Sequence, residues 1–295
     1  MSDIEVKTGW VVETTEDFCI KVADGTHDSP QRVDIGKPLV TSKNIIGGRL
    51  DLSNTYNISV NDFIAINKRS AVHKNDVLLS MIGTVGEACL IEEEPNFAIK
   101  NVGLLKNDDE YKAKWLYFYL RSSKAQQLIK ERLRGTTQQY LPLGEIRKFP
   151  VPYPQAQHEL EWIVDNLWTL HSKIELNRQI NQTLEAMAQA IFKSWFVDFD
   201  PVKAKIAALE SGEDAEGVTR AAMRAISGKT DDELDIMEGG QPEDYAKLKT
   251  TAELFPAAMQ DSELGKVPEG WEVKLSGEIM DVRDGTHDSP KKSDK

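Results

Sequence analysis

Asp24, His27 and Asp28 lie close together in the segment DGTHDSP (residues 24–30), and their side chains could do chemistry. Carboxylate and imidazole groups in such a cluster could bind a metal ion or act as a general acid and base. The same segment is also rich in turn formers, because Asp-Gly and Ser-Pro favour turns and Asp side chains bond their own backbone. No further His or Cys cluster lies nearby to complete a metal site. The turn is therefore the favoured interpretation.

Other catalytic patterns are weak in this sequence. Cys19 and Cys89 match no metal or redox spacing, and a free cysteine is often a small buried apolar residue. The turn GTVG (residues 83–86) lacks the length and the Lys-Ser/Thr ending of a phosphate-binding loop. No dinucleotide fingerprint, nucleophile elbow or HExxH motif occurs. The sequence therefore indicates no enzyme, and the remaining enzymatic hypothesis is a metal-dependent hydrolase that uses Asp24 and His27.

Polar and basic residues on loops form a third chemical pattern. Arg, Lys, Asn and Gln side chains pair with base edges, and Thr contacts the thymine methyl group or a phosphate. The segment RGTTQQY (residues 134–140) is rich in these types. The candidate DNA-binding residues are Lys43, Asn44, Arg69, Lys74, Lys100, Asn101, Arg132, Arg134, Thr136, Thr137, Gln138, Gln139 and Tyr140. A solvated loop is the alternative, since polar loops are common on protein surfaces.

These loops need a framework, and the first 150 residues predict a mixed one. Short apolar runs in 38–48, 75–94 and 96–105 are bounded by Gly, Asn and Asp, which is typical of strands. Residues 111–133 have helical spacing, with Trp115, Leu116, Tyr119 and Leu120 on one face. The segment KFPVPYP then ends the domain, because no helix passes through three alternating prolines. We therefore expect an α+β domain over residues 1–154.

A long helix follows over residues 155–198, which contain apolar residues at helical spacing and neither Pro nor Gly in 155–196. Steps of three and four give a heptad seam typical of helix pairing. The 36 residues of the seam, from Leu160 to Trp195, would span roughly 54 Å. The predicted helix-pairing residues are Leu160, Ile163, Leu167, Leu170, Ile174, Asn177, Asn181, Leu184, Ile191 and Trp195. The two Asn residues either fix the register of a paired helix or lie where the helices diverge and water enters.

Residues 199–265 form an acidic connector, with 15 Asp and Glu residues against 7 Lys and Arg. Its Gly-rich breaks predict one or two small helices, more solvated than packed. Residues 266–295 then repeat the opening of the chain: Gly270-Trp271 answers to Gly9-Trp10, and DGTHDSP recurs at 284–290. A repeat at a spacing of about 260 residues implies a duplicated domain, because solenoid repeats are far shorter. The second copy has only begun where this sequence ends.

The bulk composition limits the protein class. With 40% hydrophobic and 28% charged residues, the chain is typical of a soluble globular protein. No apolar run approaches the length needed to cross a bilayer, and the start of the chain shows no secretory signal. A reducing cytoplasm fits the two cysteines. The net charge of −12 argues against nucleic acid only at first sight, because residues 1–150 hold 20 basic and 20 acidic residues.

The order of these segments resembles the DNA specificity subunits of type I restriction-modification systems. No single motif is decisive, but their order and the repeat are specific, and the resemblance spans essentially the whole chain. The matching segments are GW with DGTHDSP, KPLVTSKNI (37–45), NDVLLSMIGTVG (75–86), GTTQQYLPLGEI (135–146), FPVPYPQAQHELEWIVDNL (149–167), KSWFVDFDPVKAK (193–205) and SELGKVPEGWEV (262–273).

The resemblance implies two target-recognition domains, each reading half of a split DNA site, held apart by two antiparallel helices. It also implies that this chain performs no chemistry and holds no cofactor. Modification subunits would bind S-adenosylmethionine and methylate adenine, and motor nuclease subunits would join through them. The expected fold is α+β, with a mixed target-recognition domain, one long coiled-coil helix and an acidic, partly helical connector.

This sequence departs from that pattern because it holds one complete recognition domain, one helix and 30 residues of a second domain. Leaving the helix seam in water is unfavourable by about 1.5–3 kcal/mol for each large side chain that a complete assembly would bury. We therefore expect a partner helix, from a second copy in a two-fold dimer or from a complementary half-subunit. The alternatives are a remnant or fragment of a longer subunit, and a decoy that assembles without reading DNA.

Overall fold

The computed structural model describes residues 7–281 together with residues 283 and 285. Most of the second DGTHDSP copy, and with it the predicted second domain's motif, lies outside the described residues. The chain divides into an N-terminal unit, residues 1–176, and a C-terminal unit, residues 177–295. Within the described part, no helix combines the length and the apolar character that a bilayer crossing requires.

The strands are β1 Trp10–Thr14, β2 Lys21–Asp24, β3 Lys37–Thr41, β4 Ile45–Ile46, β5 Arg49–Leu50, β6 Tyr56–Ile58, β7 Val77–Ser80, β8 Ala88–Leu90, β9 Ala98–Lys100, β10 Val102–Lys106, β11 Pro150–Pro154, β12 Met259–Ser262 and β13 Gly265–Pro268. The helices are α1 Thr15–Phe18, α2 Val60–Ser70, α3 Glu110–Arg121, α4 Ser123–Glu131, α5 Leu143–Arg147, α6 Gln157–Phe196, α7 Asp200–Glu210, α8 Ala215–Ser227, α9 Asp231–Gly240, α10 Pro242–Glu253 and α11 Ser276–Ile279. A 3₁₀ turn covers Ser42–Asn44.

The N-terminal unit is built on an antiparallel four-stranded sheet in the order β2-β10-β7-β8. All four residues of β7 are buried, which explains why its sequence reads VLLS rather than an alternating pattern. Leu79 and Leu105 pack in one core cluster, and Leu78 and Leu104 pack in a second. Successive side chains of a strand point to opposite faces, so the sheet is covered on both sides.

A three-stranded sheet, β6-β3-β9, joins β3 and β9 in parallel and buries Leu39, Ile58 and Ala98. The proline-rich segment forms β11, which pairs antiparallel with β1. Its prolines occupy alternate positions, so the residues between them supply the ladder N–H groups. The first and last strands of the predicted domain are thus paired.

The predicted helix over 111–133 is two helices, α3 and α4. Ser122 ends the first and caps the second, because its side chain accepts from the Ala125 N–H. Trp115, Leu116 and Leu120 are buried in the main core, as the helical spacing predicts, and Tyr119 packs partly buried against it.

The C-terminal unit is more helical than expected for the connector. Helices α7–α10 bury two small clusters, one of which holds Met223, Leu234 and Tyr245. Asp214 caps α8 at its start, and Gly228 ends the helix with a φ of 66°. The sequence analysis weighed the acidic composition of this segment and not the apolar spacing within α8. That spacing gives the helix one buried face, while its other face can remain polar. Strands β12 and β13 form a hairpin that the sequence did not predict.

Candidate nucleic-acid interface

Several strand ends meet at one edge of the four-stranded sheet. The last residue of β2, Asp24, lies beside the start of β10, and Val102 pairs with Ser80 at the end of β7. The parallel strands β3 and β9 bring their carboxyl ends to the same place, since Thr41 pairs with Lys100. We use the name loop edge for residues 25–29, 42–44, 81–86, 100–101 and 134–140.

The DGTHDSP loop is joined directly to residues 100–101. Thr26 forms a parallel bridge with Lys100, and the Asn101 N–H donates to the Thr26 carbonyl at 3.1 Å. Gly25 is required for this approach, because a Cβ atom there would overlap the Ile99 carbonyl. Lys100 also donates from Nζ to the Ser29 hydroxyl at 2.5 Å. The segment is therefore an ordered loop, with a bridge at Thr26 and a bend at Asp28, and it is part of a larger arrangement.

Asp24 organises two basic side chains in this loop region. Its carboxylate is buried, and it lies 2.9 Å from His27 Nε2 and 3.4 Å from Arg69 Nη2. Arg69 also donates to the Gly25 carbonyl at 2.7 Å. A cleft of about 520 Å³ opens beside these groups, lined by residues 26–30 and by α2. Within the described residues, no group of three or more His, Cys, Asp and Glu side chains is placed to hold a metal ion.

Ser42 joins two further loops. Its hydroxyl donates to the Asn101 carbonyl at 3.0 Å and accepts from the backbone N–H groups of Met81 at 3.3 Å and Ile82 at 3.4 Å. Lys43, the next residue, is exposed. One buried hydroxyl thus holds the 42–44, 81–86 and 100–101 loops together.

The segment 134–140 closes on itself and reaches the same edge. Arg134 and Tyr140 exchange backbone hydrogen bonds of 2.9 Å, and Tyr140 forms a bridge with Ile82. Gly135 allows the turn with a φ of 90°. The exposed residues between the two ends are Thr136, Thr137, Gln138 and Gln139. Arg134 is exposed and donates to Glu145 at 3.0 Å.

The structure therefore brings most of the candidate DNA-binding residues to one surface. Those at the loop edge are Lys43, Lys100, Asn101, Arg134, Thr136, Thr137, Gln138, Gln139 and Tyr140. Arg69 joins them through Asp24.

Three candidates are placed differently. Asn44 is buried, and its side chain bonds the Thr41 N–H and the Asp51 carbonyl, so it shapes the turn. Lys74 precedes β7 and so lies toward the opposite edge of the sheet. Arg132 lies over the Phe149 ring and donates to a carbonyl of its own helix.

The sequence analysis missed the positioning residues of this surface. His27 was weighed as a metal ligand within a favoured turn, and Ser42 was noted only as part of a matching segment, yet both bond loops that are distant in sequence. The available signal was the identical recurrence of DGTHDSP at 284–290. The cysteines are buried elsewhere in the core, where burial raises the pKa of Cys19 and Cys89 to about 12.

The predicted helix-pairing residues fall into three environments. Leu160 is buried in the core of the N-terminal unit, and Ile163 packs against that core. Trp195 contacts Phe255 within the C-terminal unit, with ring centroids 5.8 Å apart. The remaining positions, which are exposed, are Leu167, Leu170, Ile174, Asn177, Asn181, Leu184 and Ile191.

Further exposed apolar residues of α6 were not predicted. Leu176, Ile180 and Met187 fall at steps of three and four with Leu184 and Ile191. We use the name α6 stripe for the exposed apolar residues Leu167, Leu170, Ile174, Leu176, Ile180, Leu184, Met187 and Ile191. The same steps of three and four would have found them if the count had begun at Leu176 and not at Leu160.

Comparison with known proteins gives a consistent family. The model of the type I restriction modification DNA specificity domain matches residues 9–186. The HindI specificity subunit of a type I restriction enzyme from Haemophilus influenzae is 36% identical over 239 residues, which cover 77% of this chain and 51% of that subunit.

Two further matches are weaker. The EcoBI specificity subunit from Escherichia coli is 26% identical over 179 residues, which cover 59% of this chain and 36% of that subunit. A solved type I restriction-modification S subunit from M. genitalium has 14% identity and a TM-score of 0.44, over 76% of this chain and 52% of that chain. The chain thus spans about half of these relatives' length, or less.

Proposed function

The chain belongs to the type I restriction modification DNA specificity domain family, and from this premise we propose that it is a DNA-recognition chain of a type I restriction-modification complex. The observation that carries the proposal is the loop edge. Five separate loops with Lys, Arg, Asn, Gln and Thr side chains are cross-linked at one edge of a buried sheet, within the segment that matches the family.

The chemistry of the loop edge suits double-stranded DNA. The tip of the 134–140 loop carries exposed Gln138 and Gln139, whose amides can pair with base edges, next to Arg134. Lys43 and Lys100 supply positive charge for phosphates. Rigid attachment of the loops matters because sequence discrimination needs donors and acceptors at fixed positions. The loop edge would read one half of a split site.

The α6 stripe supports self-association as the route to a second half-site. Leu170 and Leu184 are 58% and 57% exposed, an unfavourable state for side chains at pairing spacing. In the proposed assembly, two copies pair through α6 with two-fold symmetry and read an interrupted palindrome. A complementary half-subunit on the stripe would instead produce an asymmetric split site.

The proposed complex assigns the chemistry to other chains. This chain would hold no cofactor and would perform no reaction. Methyltransferase subunits would bind S-adenosylmethionine and methylate adenine, and restriction subunits would join them. The buried Asp24 carboxylate bonds His27 and Arg69, and no observation supports a hydrolytic role for it.

Mapping of methylated adenines tests the proposal. The chain would be co-expressed with its modification subunit in an unmethylated host, and the whole genome would be sequenced for methylation. A split palindrome is the expected result. An asymmetric split motif would replace self-pairing by a complementary half-subunit, and absence of methylation with a normal complex would indicate a decoy.

Sedimentation of the purified chain tests the pairing step separately. Leu184→Asp places a charge in the α6 stripe, and we expect the dimer to dissociate at micromolar concentration. Gln182→Asp is the matched control, because Gln182 is exposed on the other side of the same helix. A wild-type chain that sediments as a monomer at that concentration would rule out self-pairing.

A further inference from the structure

Asn101 is held on three sides at the loop edge. Its φ of 52° is in the left-handed region, which few residues other than glycine adopt. Its N–H donates to the Thr26 carbonyl, its carbonyl accepts from Ser42, and its side-chain Oδ1 lies 2.8 Å from His27 Nδ1. Such confinement of a non-glycine residue is typical of functional positions.

His27 connects Asn101 to the buried Asp24 carboxylate. The carboxylate lies 2.9 Å from Nε2, and the Asn101 amide oxygen lies 2.8 Å from Nδ1. An amide oxygen only accepts, so in the contact with Asn101 the donor is Nδ1 and the acceptor is Oδ1. Asp24 is in turn bonded to Arg69. The orientation of the Asn101 amide is therefore set by a chain of contacts that begins in the buried part of the domain.

This orientation restricts what Asn101 can recognise. A free Asn amide pairs with adenine through its oxygen and its nitrogen together. Here His27 occupies the oxygen, and the amide nitrogen has no hydrogen-bond partner among the described residues. The remaining group is a pure donor. It fits an acceptor such as guanine O6 or N7, thymine O4 or a phosphate oxygen.

The sequence of the motif that contains Asp24 and His27 occurs twice in the chain. DGTHDSP is identical at 24–30 and 284–290, whereas most residues between each Trp and its motif differ. The motif encodes both Asp24 and His27, so the second copy encodes the same pair. The stronger identity of the motif than of the residues before it favours a shared role for its two copies.

We propose that Asn101 is a fixed hydrogen-bond donor to DNA and that His27, held by Asp24, is its positioning residue. The inference rests on the proposed function of the loop edge. Asn101→Asp tests it sharply, because Asp has the same shape, tolerates a positive φ and can still accept from His27. The substitution removes the outward donor and adds a negative charge, so Asn101→Gly, which removes the amide without adding a charge, is measured beside it.

The measurement is selection from a random double-stranded DNA library by the full chain with its modification subunit, followed by affinity titrations at two salt concentrations. We expect Asn101→Asp to weaken binding by at least about tenfold. Asn75→Asp is the matched control, since Asn75 has a φ of 68° but precedes β7, away from the loop edge. The control should bind within about twofold of wild type.

The pattern of loss identifies the acceptor. Relaxed preference at one base position indicates a base edge, whereas a uniform loss with a shallower salt dependence indicates a phosphate. His27→Ala should produce the same pattern at the same position with an unchanged melting temperature, an outcome that a merely structural role would not produce. If Asn101→Asp does not fold, Asn101→Gly removes the amide and suits the positive φ.

Two results would overturn the inference. Wild-type affinity and preference in Asn101→Asp would exclude the donor while leaving the proposed function intact. A wild-type complex that selects no DNA sequence would instead remove the proposed function, and the inference with it.

Discussion

The two edges of the four-stranded sheet use basic side chains in different ways. At the loop edge, buried Asp24 and Ser42 cross-link loops, and the exposed cations Lys43 and Arg134 extend from them. At the opposite edge, where β10 ends, Lys106 is turned inward and donates from Nζ to Asp76 at 2.8 Å. The two edges therefore differ in how a lysine or arginine can be held, although an exposed cation, Lys74, lies at the opposite edge as well.

The hydrogen-bond patterns of the two edges explain this division. Asp76 is 1% exposed and accepts from Lys106 and from two backbone N–H groups, those of His73 and Asn107. It therefore stabilises the turn before β7 and the end of β10. The bonds of Ser42 and Asp24 instead connect loops whose outer side chains stay exposed. Stability is concentrated at one edge and recognition at the other.

The largest expected effect is on stability at the opposite edge. Asp76→Ala removes a buried carboxylate and leaves Lys106 and two N–H groups without it, so the free energy of unfolding should fall by about 3 kcal/mol. Urea unfolding measures this loss. Asp28→Ala at the loop edge is the matched control, because Asp28 is exposed, and it should change stability by no more than about 0.5 kcal/mol. Equal losses in the two variants would break the comparison.

Next in size is a loss of discrimination at the loop edge. Arg134→Ala removes an exposed guanidinium beside the Gln-rich tip, and base discrimination should fall by about 1–3 kcal/mol. Selection of DNA from a random library with the modification subunit present measures it. In the described part of the chain, the Arg134 guanidinium bonds the part-exposed Glu145 and no other side chain, so stability should change little.

Arg132→Ala is the control for the Arg134→Ala prediction, because it removes an arginine two residues away in the sequence. Arg132 lies over the Phe149 ring at 5.4 Å, so its loss should lower stability by about 1 kcal/mol and leave discrimination unchanged. Loss of discrimination in Arg132→Ala alone would reverse the assignment of these two arginines.

The sequence allowed much of this organisation to be predicted, because hydrophobic patterns are local. The buried strand VLLS, the helical face of Leu116 and Leu120 and the length of α6 all follow from neighbouring residues. The loops rich in DNA-binding residue types were also recognisable. Their convergence was not, since it depends on the register of strands such as β7 and β10 that are distant in sequence.

The differences between the predicted and the observed placement of residues have physical causes. Asn44 is a residue type that can pair with base edges, but its side-chain amide already hydrogen-bonds the Thr41 N–H and the Asp51 carbonyl. Leu160 and Ile163 fit the heptad spacing, yet the first turns of α6 pack on the domain core before the stripe begins. Pattern alone does not distinguish these cases, because burial is decided by tertiary contacts. The sequence could have distinguished Lys74 from the other DNA-binding candidates. It precedes β7, whereas the loop that follows β7 is part of the loop edge.

The smallest expected effect is on the salt dependence of DNA binding, and it compares a lysine at each edge of the four-stranded sheet. Both are exposed, but Lys43 lies at the loop edge and Lys74 lies before β7. Lys43→Ala should weaken binding to all sequences uniformly and lower the slope of log affinity against log salt by about 1, because one phosphate contact is lost. Lys74→Ala should leave the slope unchanged. A slope lowered equally in both variants would mean that DNA contacts both edges, and the division of the sheet into a stabilising and a recognising edge would then be wrong.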